Sequence, residues 1–211
     1  VKYDMHTMPA AYSDEGVAKV RESMLKLNSI IVEKFIALDI KPFSIQASSF
    51  VFNNLPCNNR IFDIAEMIKD NNLTPITYGD VIYTSNGNFS ILSGDSLMKI
   101  ISKVLKPKLS IFTTNVDGIY DNVINGNLVS KILLDKDKNL LTNTFDNKIQ
   151  FSEMIFDVTG GMKRKISESI DIVNLGIPVY LINGFYPERL LNVVNGNDFI
   201  GTTIKIKEES T

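Results

Sequence analysis

A chain of 211 residues can bury one substantial core, and 44% apolar with 22% charged residues is ordinary for a globular protein. The formal net charge of −2 argues against a nucleic-acid partner, because such proteins usually carry a basic surplus. The apolar runs are too short to span a membrane, and residues 1–16 do not resemble a signal peptide. Cys57 has no second cysteine for an intrachain disulfide, so a cytoplasmic location without membrane contact is expected.

The first half of the chain predicts amphipathic helices separated by short strands. Apolar residues recur at steps of three and four over residues 14–38, which predicts a long helix with Ser13 as its N-cap. Residues 42–46 predict a strand, and residues 61–69 predict a second amphipathic helix after a polar turn. The other elements expected in this half are strands over residues 75–83 and 88–92 and a helix over residues 96–106.

The second half continues the alternation of strands and helices. Residues 109–116 predict a strongly apolar strand, and the polar residues 121–150 predict a hairpin or an excursion from the sheet. A helix is expected to follow Gly160 and Gly161 and to run to about residue 175. The last predicted elements are a strand over residues 178–182, a helix over residues 187–194 and a strand over residues 202–206. This alternation predicts a single α/β domain over residues 1–211 with a largely parallel sheet.

Small, polar and acidic residues follow several of the predicted strands. In open α/β sheets ligands bind beyond the carboxyl ends of the strands, so these turns are candidate site segments. Glycine and aspartate are also good turn formers, which is the simpler explanation for any one turn taken alone. The four turns are residues 77–80, 93–96, 114–118 and 183–184.

Residues 157–165, with the sequence DVTGGMKRK, predict a helix start that binds phosphate. Basic side chains in a first helical turn are unfavourable, because the helix N-terminus already carries partial positive charge. Gly160 and Gly161 would let a ligand approach the backbone closely, and Lys165 would add charge to the free N–H groups. The alternative interpretation is a solvated basic patch. The P-loop, protein-kinase and dinucleotide fingerprints are absent from the sequence, so a phosphate site here requires another architecture.

Two segments resemble the nucleotide motifs of the amino-acid-kinase superfamily: FTTNVDGIYD at residues 112–121 and DVTGGMKRK at residues 157–165. The resemblance extends over about residues 2–206 and is strongest toward isopentenyl phosphate kinases. The segments similar to that group are residues 77–81, 90–97, 181–190 and 199–204.

The resemblance implies a three-layer α/β/α sandwich with a mainly parallel open sheet, usually a homodimer. It implies transfer of the γ-phosphoryl of ATP, with Mg²⁺, to a small phosphate acceptor such as isopentenyl phosphate. Lys165 would bind the β- and γ-phosphates, and Gly160 and Gly161 would supply backbone contacts. The residues that would shape the nucleotide pocket are Thr114, Asn115, Asp117, Gly118 and Tyr120.

On the acceptor side, the resemblance implies that Asp95 orients the reacting groups as a second catalytic residue beside Lys165. Ser90, Ser93 and Gly94 would lie near the acceptor phosphate. A phosphate monoester is already a nucleophile at neutral pH, so catalysis would consist mostly of positioning and charge stabilisation. The first predicted helix, Ile45, Phe50 and Phe52 are candidates for contact with an apolar acceptor tail, although core packing is the simpler reading.

Two features depart from the family pattern. Asn115 occupies a position where the family often has aspartate. The printed sequence also lacks the family's initial strand with its Gly-Gly-Ser turn and the turn Gly-Gly-Gly-Ser-Phe-Gly-His, whose histidine contacts the acceptor phosphate. His6 lacks the flanking glycines and is interpreted as an ordinary loop residue. Alternatives left open are another acceptor, such as UMP, a carbamate, an acylated amino acid or a phosphonate, and a nucleotide-binding module without catalysis.

Overall fold

The computed structural model describes residues 14–53, 55–84, 88–121, 126–135 and 160–207. Contacts divide the chain into two compact units, residues 1–105 and residues 106–211. Among the described residues, no helix combines the length and apolar character needed to cross a membrane. The prediction of a single domain over the whole chain stays a prediction.

The described part of the first unit contains three helices, a single 3₁₀ turn and short strands. The helices are α1 (Asp14–Ala37), α2 (Asn58–Asp70) and α3 (Gly94–Leu105), and the 3₁₀ turn is Ala47–Ser49. The strands are β1 (Pro42–Ser44), β2 (Val51–Phe52), β3 (Leu55–Pro56), β4 (Thr74–Ile76), β5 (Asp80–Tyr83) and β6 (Phe89–Leu92). The three predicted helices of this half are therefore confirmed, with ends that differ by a few residues.

The strand predicted over residues 75–83 is in fact two strands with different partners. β4 pairs in parallel with β1, whereas β5 pairs with β6 in an antiparallel hairpin. Residues 77–79 belong to neither strand, and β5 begins at Asp80 opposite Leu92, the last residue of β6. The apolar pattern runs through the break, so periodicity alone could not reveal it.

The β5–β6 hairpin buries both of its faces, because successive side chains of a strand point to opposite sides. Ile82 and Leu92 belong to the main cluster of this unit, which includes residues of α2 and α3. Val81 lies on the opposite face and packs with Val17 of α1. The apolar stripe predicted for α1 is buried at that end only, since Leu27 remains 48% exposed.

The described part of the second unit contains a four-stranded sheet in the order β7-β9-β10-β8 and two helices. The strands are β7 (Ser110–Thr114), β8 (Lys131–Leu134), β9 (Val179–Asn183) and β10 (Gly201–Ile206), and the helices are α4 (Gly160–Val173) and α5 (Glu188–Asn195). In the segment predicted as a hairpin or excursion, the Asp121 backbone N–H donates to the Asn127 carbonyl, as in a hairpin, whereas β8 was not predicted as a strand of the sheet. Within that segment, residues 122–125 and 136–150 lie outside the described residues.

Strand direction in this sheet places the loops after β7 and β9 at one edge. β7 and β9 are parallel, with Thr114 opposite Asn183, so the loops that follow them leave the same edge. β10 is antiparallel to β9 and parallel to β8. Leu181 and Ile204 are at most 1% exposed in the middle of the sheet. The predicted α/β class with parallel strand pairing is confirmed.

Candidate functional site

The first unit brings two of the predicted turns into direct contact. An added Cβ at Gly79 would lie 2.7 Å from the Leu92 carbonyl oxygen and 2.8 Å from the Gly94 backbone nitrogen. Both are backbone atoms, so no side chain can be accommodated at Gly79 without moving the strand or the start of α3. The hairpin therefore holds residues 77–80 against residues 93–96 through an approach that requires glycine.

The start of α3 holds three of the predicted site residues, Ser93, Gly94 and Asp95. The Ser93 hydroxyl accepts a hydrogen bond from the Ser96 backbone N–H at 3.1 Å, which caps the helix. Asp95 is the acidic residue of the first turn, where its charge complements the helix dipole. Ser90 lies on β6, on the same face as the buried Leu92, and its Oγ has no hydrogen-bond partner in the described part of the chain.

A polar cluster next to these turns was not predicted. Asp80 is buried, accepts a hydrogen bond from Ser48 at 3.1 Å, and lies 3.8 Å from the Arg21 guanidinium. Arg21 also donates to the Gln46 side chain at 2.9 Å. Burial raises the pKa of the Tyr78 phenol above its ordinary value, and the Asp80 carboxylate adds to the rise. The turn at residues 77–80 was a predicted site segment, but the partners of Asp80 are distant in the sequence and were not predicted.

In the second unit the loop after β7 is closed by its own hydrogen bonds and by β10. The Thr114 hydroxyl accepts a hydrogen bond from the Val116 backbone N–H at 3.2 Å, so this side chain is engaged within the loop. Ile119 donates its backbone N–H to the fully buried Thr202 hydroxyl at 2.8 Å. A Cβ at Gly118 would lie 2.5 Å from that same hydroxyl, so Gly118 is required for packing.

Asp117 is the carboxylate at the centre of this loop. Its Oδ1 accepts hydrogen bonds from Arg189 at 2.6 Å and from the Asn183 amide at 3.1 Å. The Arg189 guanidinium, and next the Asn183 amide, hold the pKa of Asp117 below its ordinary value. Arg189 was missed in the sequence, although an arginine near the start of a helix is unusual and could have marked it.

Lys165 lies in α4, where its Nζ is 4.9 Å from the centre of the buried Phe112 ring of β7. Gly160 and Gly161 are the first two residues of α4, and the first turn contains no acidic side chain. The helix predicted here is confirmed, although it begins at Gly160 and not after Gly161. Tyr120 forms an isolated bridge with Leu128, and Asn115 is exposed. His6 and residues 157–159 lie outside the described residues.

The predicted site residues thus form two groups, one in each unit. The first group is at the start of α3 and β6, and the second is at the edge where β7 and β9 end, together with Lys165 above β7. The second group places a lysine beside the strand that leads into a restrained loop, which suits binding of an anionic ligand. Because this geometry contains no bound ligand that would test them, the roles of these residues stay predictions.

The sequence of this chain is similar to those of known enzymes. The sequence model of the amino acid kinase family matches residues 2–183. Isopentenyl phosphate kinase from Thermoplasma acidophilum is 32% identical over 196 residues, covering 92% of this chain and 74% of the relative. The enzyme of that name from Methanocaldococcus jannaschii is 35% identical over 156 residues, covering 72% of this chain and 55% of the relative. The chain therefore spans between about half and three quarters of their lengths.

The fold of this chain agrees with solved structures of isopentenyl phosphate kinases. A crystal structure of isopentenyl phosphate kinase superposes with a TM-score of 0.70 at 24% identity, covering 90% of this chain and 69% of the other. At that identity the likeness concerns the fold alone.

Proposed function

The chain belongs to the amino acid kinase family, and we propose that it is a phosphotransferase that converts ATP and isopentenyl phosphate to ADP and isopentenyl diphosphate. The observation that carries this proposal is the similarity to isopentenyl phosphate kinases over most of the chain. The grouping of the predicted residues at the start of α3 and around β7 supports it.

On the nucleotide side, we assign charge stabilisation to Lys165 and to the backbone N–H groups at the start of α4. The lysine would contact the β- and γ-phosphates, where negative charge shifts as the terminal phosphoryl group leaves. The Asp117 carboxylate is already held by Arg189 and Asn183, so its role is to position the loop around the nucleotide. Thr114, Asn115, Gly118 and Tyr120 would shape that loop.

On the acceptor side, the start of α3 would receive the phosphate of the acceptor. Its N–H groups and dipole favour an anion, and Gly94 has open space where a Cβ would be. Ser93 holds the helix start in place, Ser90 presents a buried hydroxyl, and Asp95 orients the reacting groups. An oxygen of the acceptor phosphate attacks the γ-phosphorus in line. The bond between the γ-phosphorus and the oxygen that bridges it to the β-phosphate breaks, and ADP leaves.

Magnesium belongs to the proposal as the counterion of ATP. The described residues contain no group of three or more His, Cys, Asp or Glu side chains that could hold a metal ion. Mg²⁺ is commonly bound by one or two carboxylates together with substrate phosphates, so a protein cage is not needed. When bound, the ion would neutralise charge on the triphosphate.

A homodimer, a cytoplasmic location and a role in isoprenoid biosynthesis of the mevalonate type are further parts of the proposal. The exposed apolar side chains of α1 support a dimer, since Ile30 and Ile36 are more than half exposed. Sedimentation velocity of the 211-residue chain at two concentrations tests the oligomeric state.

A panel of acceptors tests the function. The chain is incubated with ATP, Mg²⁺ and either isopentenyl phosphate, UMP, acetylglutamate or carbamate, and ADP release is followed with detection of the phosphorylated product. We expect turnover with isopentenyl phosphate well above the other acceptors. Turnover with UMP alone would reject the acceptor assignment, and ATP binding by calorimetry without any transfer would favour a nucleotide-binding module.

A further inference from the structure

The second unit contains an open groove of about 350 Å³ on one face of its sheet, beside the end of α5. Thr203 of β10 lines this groove and is paired with Lys131 of β8 on one side and with Tyr180 of β9 on the other. Residues that are paired across neighbouring strands project to the same face of a sheet. The side chains of Lys131, Thr203 and Tyr180 therefore form a row across the sheet, which is the floor of the groove.

The groove lies on the face of the sheet opposite to Lys165. Successive residues of a strand point to opposite faces, so Tyr180 projects away from the side on which Leu181 lies. Leu181 is paired with Phe112, and the centre of the Phe112 ring is 4.9 Å from the Lys165 Nζ. The described residues that line the groove include none of those assigned to ATP or to the acceptor. A ligand in the groove would therefore be additional to the two substrates of the proposed reaction.

Two lysines make the groove positively charged. Lys131 lies directly beside Thr203, and Lys205 follows Thr203 by two residues on β10, so both lysine side chains rise from the floor. Such diagonal neighbours are about 7 Å apart at their Cβ atoms, so both ammonium groups can reach one anion. No described lining residue is Asp or Glu. Lys205 also interacts with another group of the protein, so we assign the main contact to Lys131.

The end of α5 opposes an anion in the groove only weakly. Gly196, in the left-handed conformation, donates its backbone N–H to the Val193 carbonyl at 3.2 Å. Asn197 donates its backbone N–H to the Asn192 carbonyl at 2.9 Å, so the last turn is capped. The C-terminus of a helix carries about half a negative charge, which is less than the full charge of a single lysine. The lysines therefore determine the sign of the potential.

Neutral groups beside the lysines add hydrogen-bonding capacity. Thr203 and Tyr180 are half-buried in the row and each supplies a hydroxyl, which can donate and accept. The Tyr180 ring packs edge to face against Phe199, with 5.7 Å between the ring centres, so the tyrosine is held in place. A cation beside fixed hydroxyl groups suits phosphate oxygens and the hydroxyl groups of a small polar molecule.

We infer that this groove is a further ligand site, which binds a small molecule that carries one phosphate group and at least one hydroxyl group. The phosphate contacts Lys131 and Lys205, and the hydroxyl-bearing part lies along Thr203 and Tyr180. At about 30 Å³ for each water-sized group, 350 Å³ holds about twelve such groups, which is close to the size of glycerol 3-phosphate.

NMR titration of the isotope-labelled 211-residue chain with glycerol 3-phosphate tests this inference without phosphoryl transfer. Signals of individual backbone amides show where the ligand binds, so the groove is distinguished from the residues assigned to the two substrates. We expect saturable shifts at Lys131, Thr203 and Lys205. Inorganic phosphate should shift the same amides with lower affinity, and glycerol at the same concentrations should not shift them.

Lys131→Met keeps an apolar stem and should weaken the binding of glycerol 3-phosphate to the groove about two- to fivefold at low salt. It should leave kcat/KM for ATP unchanged. Lys108→Met removes the same charge from an exposed position of this unit outside the groove lining, and this control should not change the affinity. Lys165→Met should also leave the groove affinity unchanged, so failure of the groove assignment and failure of the proposed function give different results.

Thermal unfolding of each variant shows whether it is folded. Groove amides that do not respond to glycerol 3-phosphate in the folded, unmodified chain would overturn the inference. Equal weakening by Lys131→Met and Lys108→Met would indicate attraction by overall charge alone and would overturn it as well. Shifts confined to Lys165 or to residues 93–96 would assign phosphate binding to the proposed catalytic residues only, which also contradicts a further site. Inorganic phosphate that binds as tightly as glycerol 3-phosphate would reject the contact with a hydroxyl-bearing part.

Discussion

Arg189 and Asp117, 72 positions apart in the chain, form a hydrogen-bonded ion pair with 2.6 Å between Nη1 and Oδ1. The arginine side chain is only 10% exposed, whereas that of Asp117 is 34% exposed. The guanidinium also lies 4.3 Å from the centre of the Tyr186 ring. The pair joins α5 to the loop after β7, so it fixes the loop that we assign to the nucleotide.

Replacing Arg189 with methionine should destabilise the protein by about 1.5–3 kcal/mol, the usual contribution of hydrogen bonds to charged groups. Methionine retains much of the apolar packing, so the loss is mainly that of the charged partner of Asp117. Urea unfolding measures the change in the free energy of unfolding. The exposed Arg164→Met is the control and should change it by less than about 0.5 kcal/mol. Equal effects of the two substitutions would contradict a stabilising pair.

The same pair predicts a dependence of stability on pH. The pKa of Asp117 is lowered from 3.8 in the folded state, so the folded protein holds the charged carboxylate more strongly than the unfolded chain does. This contribution is fully present above about pH 5 and is lost as the pH falls through the lowered pKa. The difference in unfolding free energy between the unmodified chain and Asp117→Asn should therefore shrink below about pH 4. A difference that stays constant down to pH 2 would contradict the lowered pKa.

The sequence predicted features that break a local rule, whereas it did not predict contacts between residues that are far apart in the chain. The basic first turn of α4 and its glycine pair are visible locally because they oppose the helix dipole. An arginine near the start of α5 is locally unusual, but its pairing with Asp117 depends on the tertiary fold and could not be predicted from the sequence. β8 was missed because the surrounding residues are rich in Asn and Asp, which favour turns. Gly79, between β4 and β5, lies close to the backbone of Leu92 and Gly94. This contact is a tertiary feature, so the periodicity of apolar residues does not predict it.

Gly118→Ala should destabilise the second unit by about 1–3 kcal/mol, because the new methyl group would overlap the buried Thr202 hydroxyl. Thr202 cannot rotate away without losing the hydrogen bond from the Ile119 N–H. Gly94→Ala is the matched control for stability, since no atom lies within 4 Å of its added Cβ. Thermal and urea unfolding of both variants provide the comparison. Equal stability of the two would mean that the loop and β10 separate easily at this point.

Lys165→Met should lower kcat/KM for ATP about 10- to 150-fold, the equivalent of losing a charge-assisted phosphate contact of about 1.5–3 kcal/mol. Methionine preserves an apolar stem over the Phe112 ring, so the fold should be retained. Lys108→Met removes the same charge from an exposed position before β7 and is the control. Initial rates at varied ATP, with circular dichroism of each protein, measure the effect. Unchanged ATP kinetics in Lys165→Met would remove this residue from the site.

Asp95→Asn should reduce turnover about 100-fold, the scale of the rate loss caused by small misplacement of reacting groups. The substitution keeps the size of the side chain and removes a charge from the first turn of α3, which should cost less than about 1 kcal/mol of stability. Asp14→Asn makes the same change in the first turn of α1 and is the matched control. Measured kcat for isopentenyl phosphate, together with urea unfolding, separates the two effects. If Asp95→Asn keeps full turnover, or loses turnover only in proportion to lost folding, then Asp95 acts as a helix-stabilising residue and the acceptor chemistry lies elsewhere on the turn.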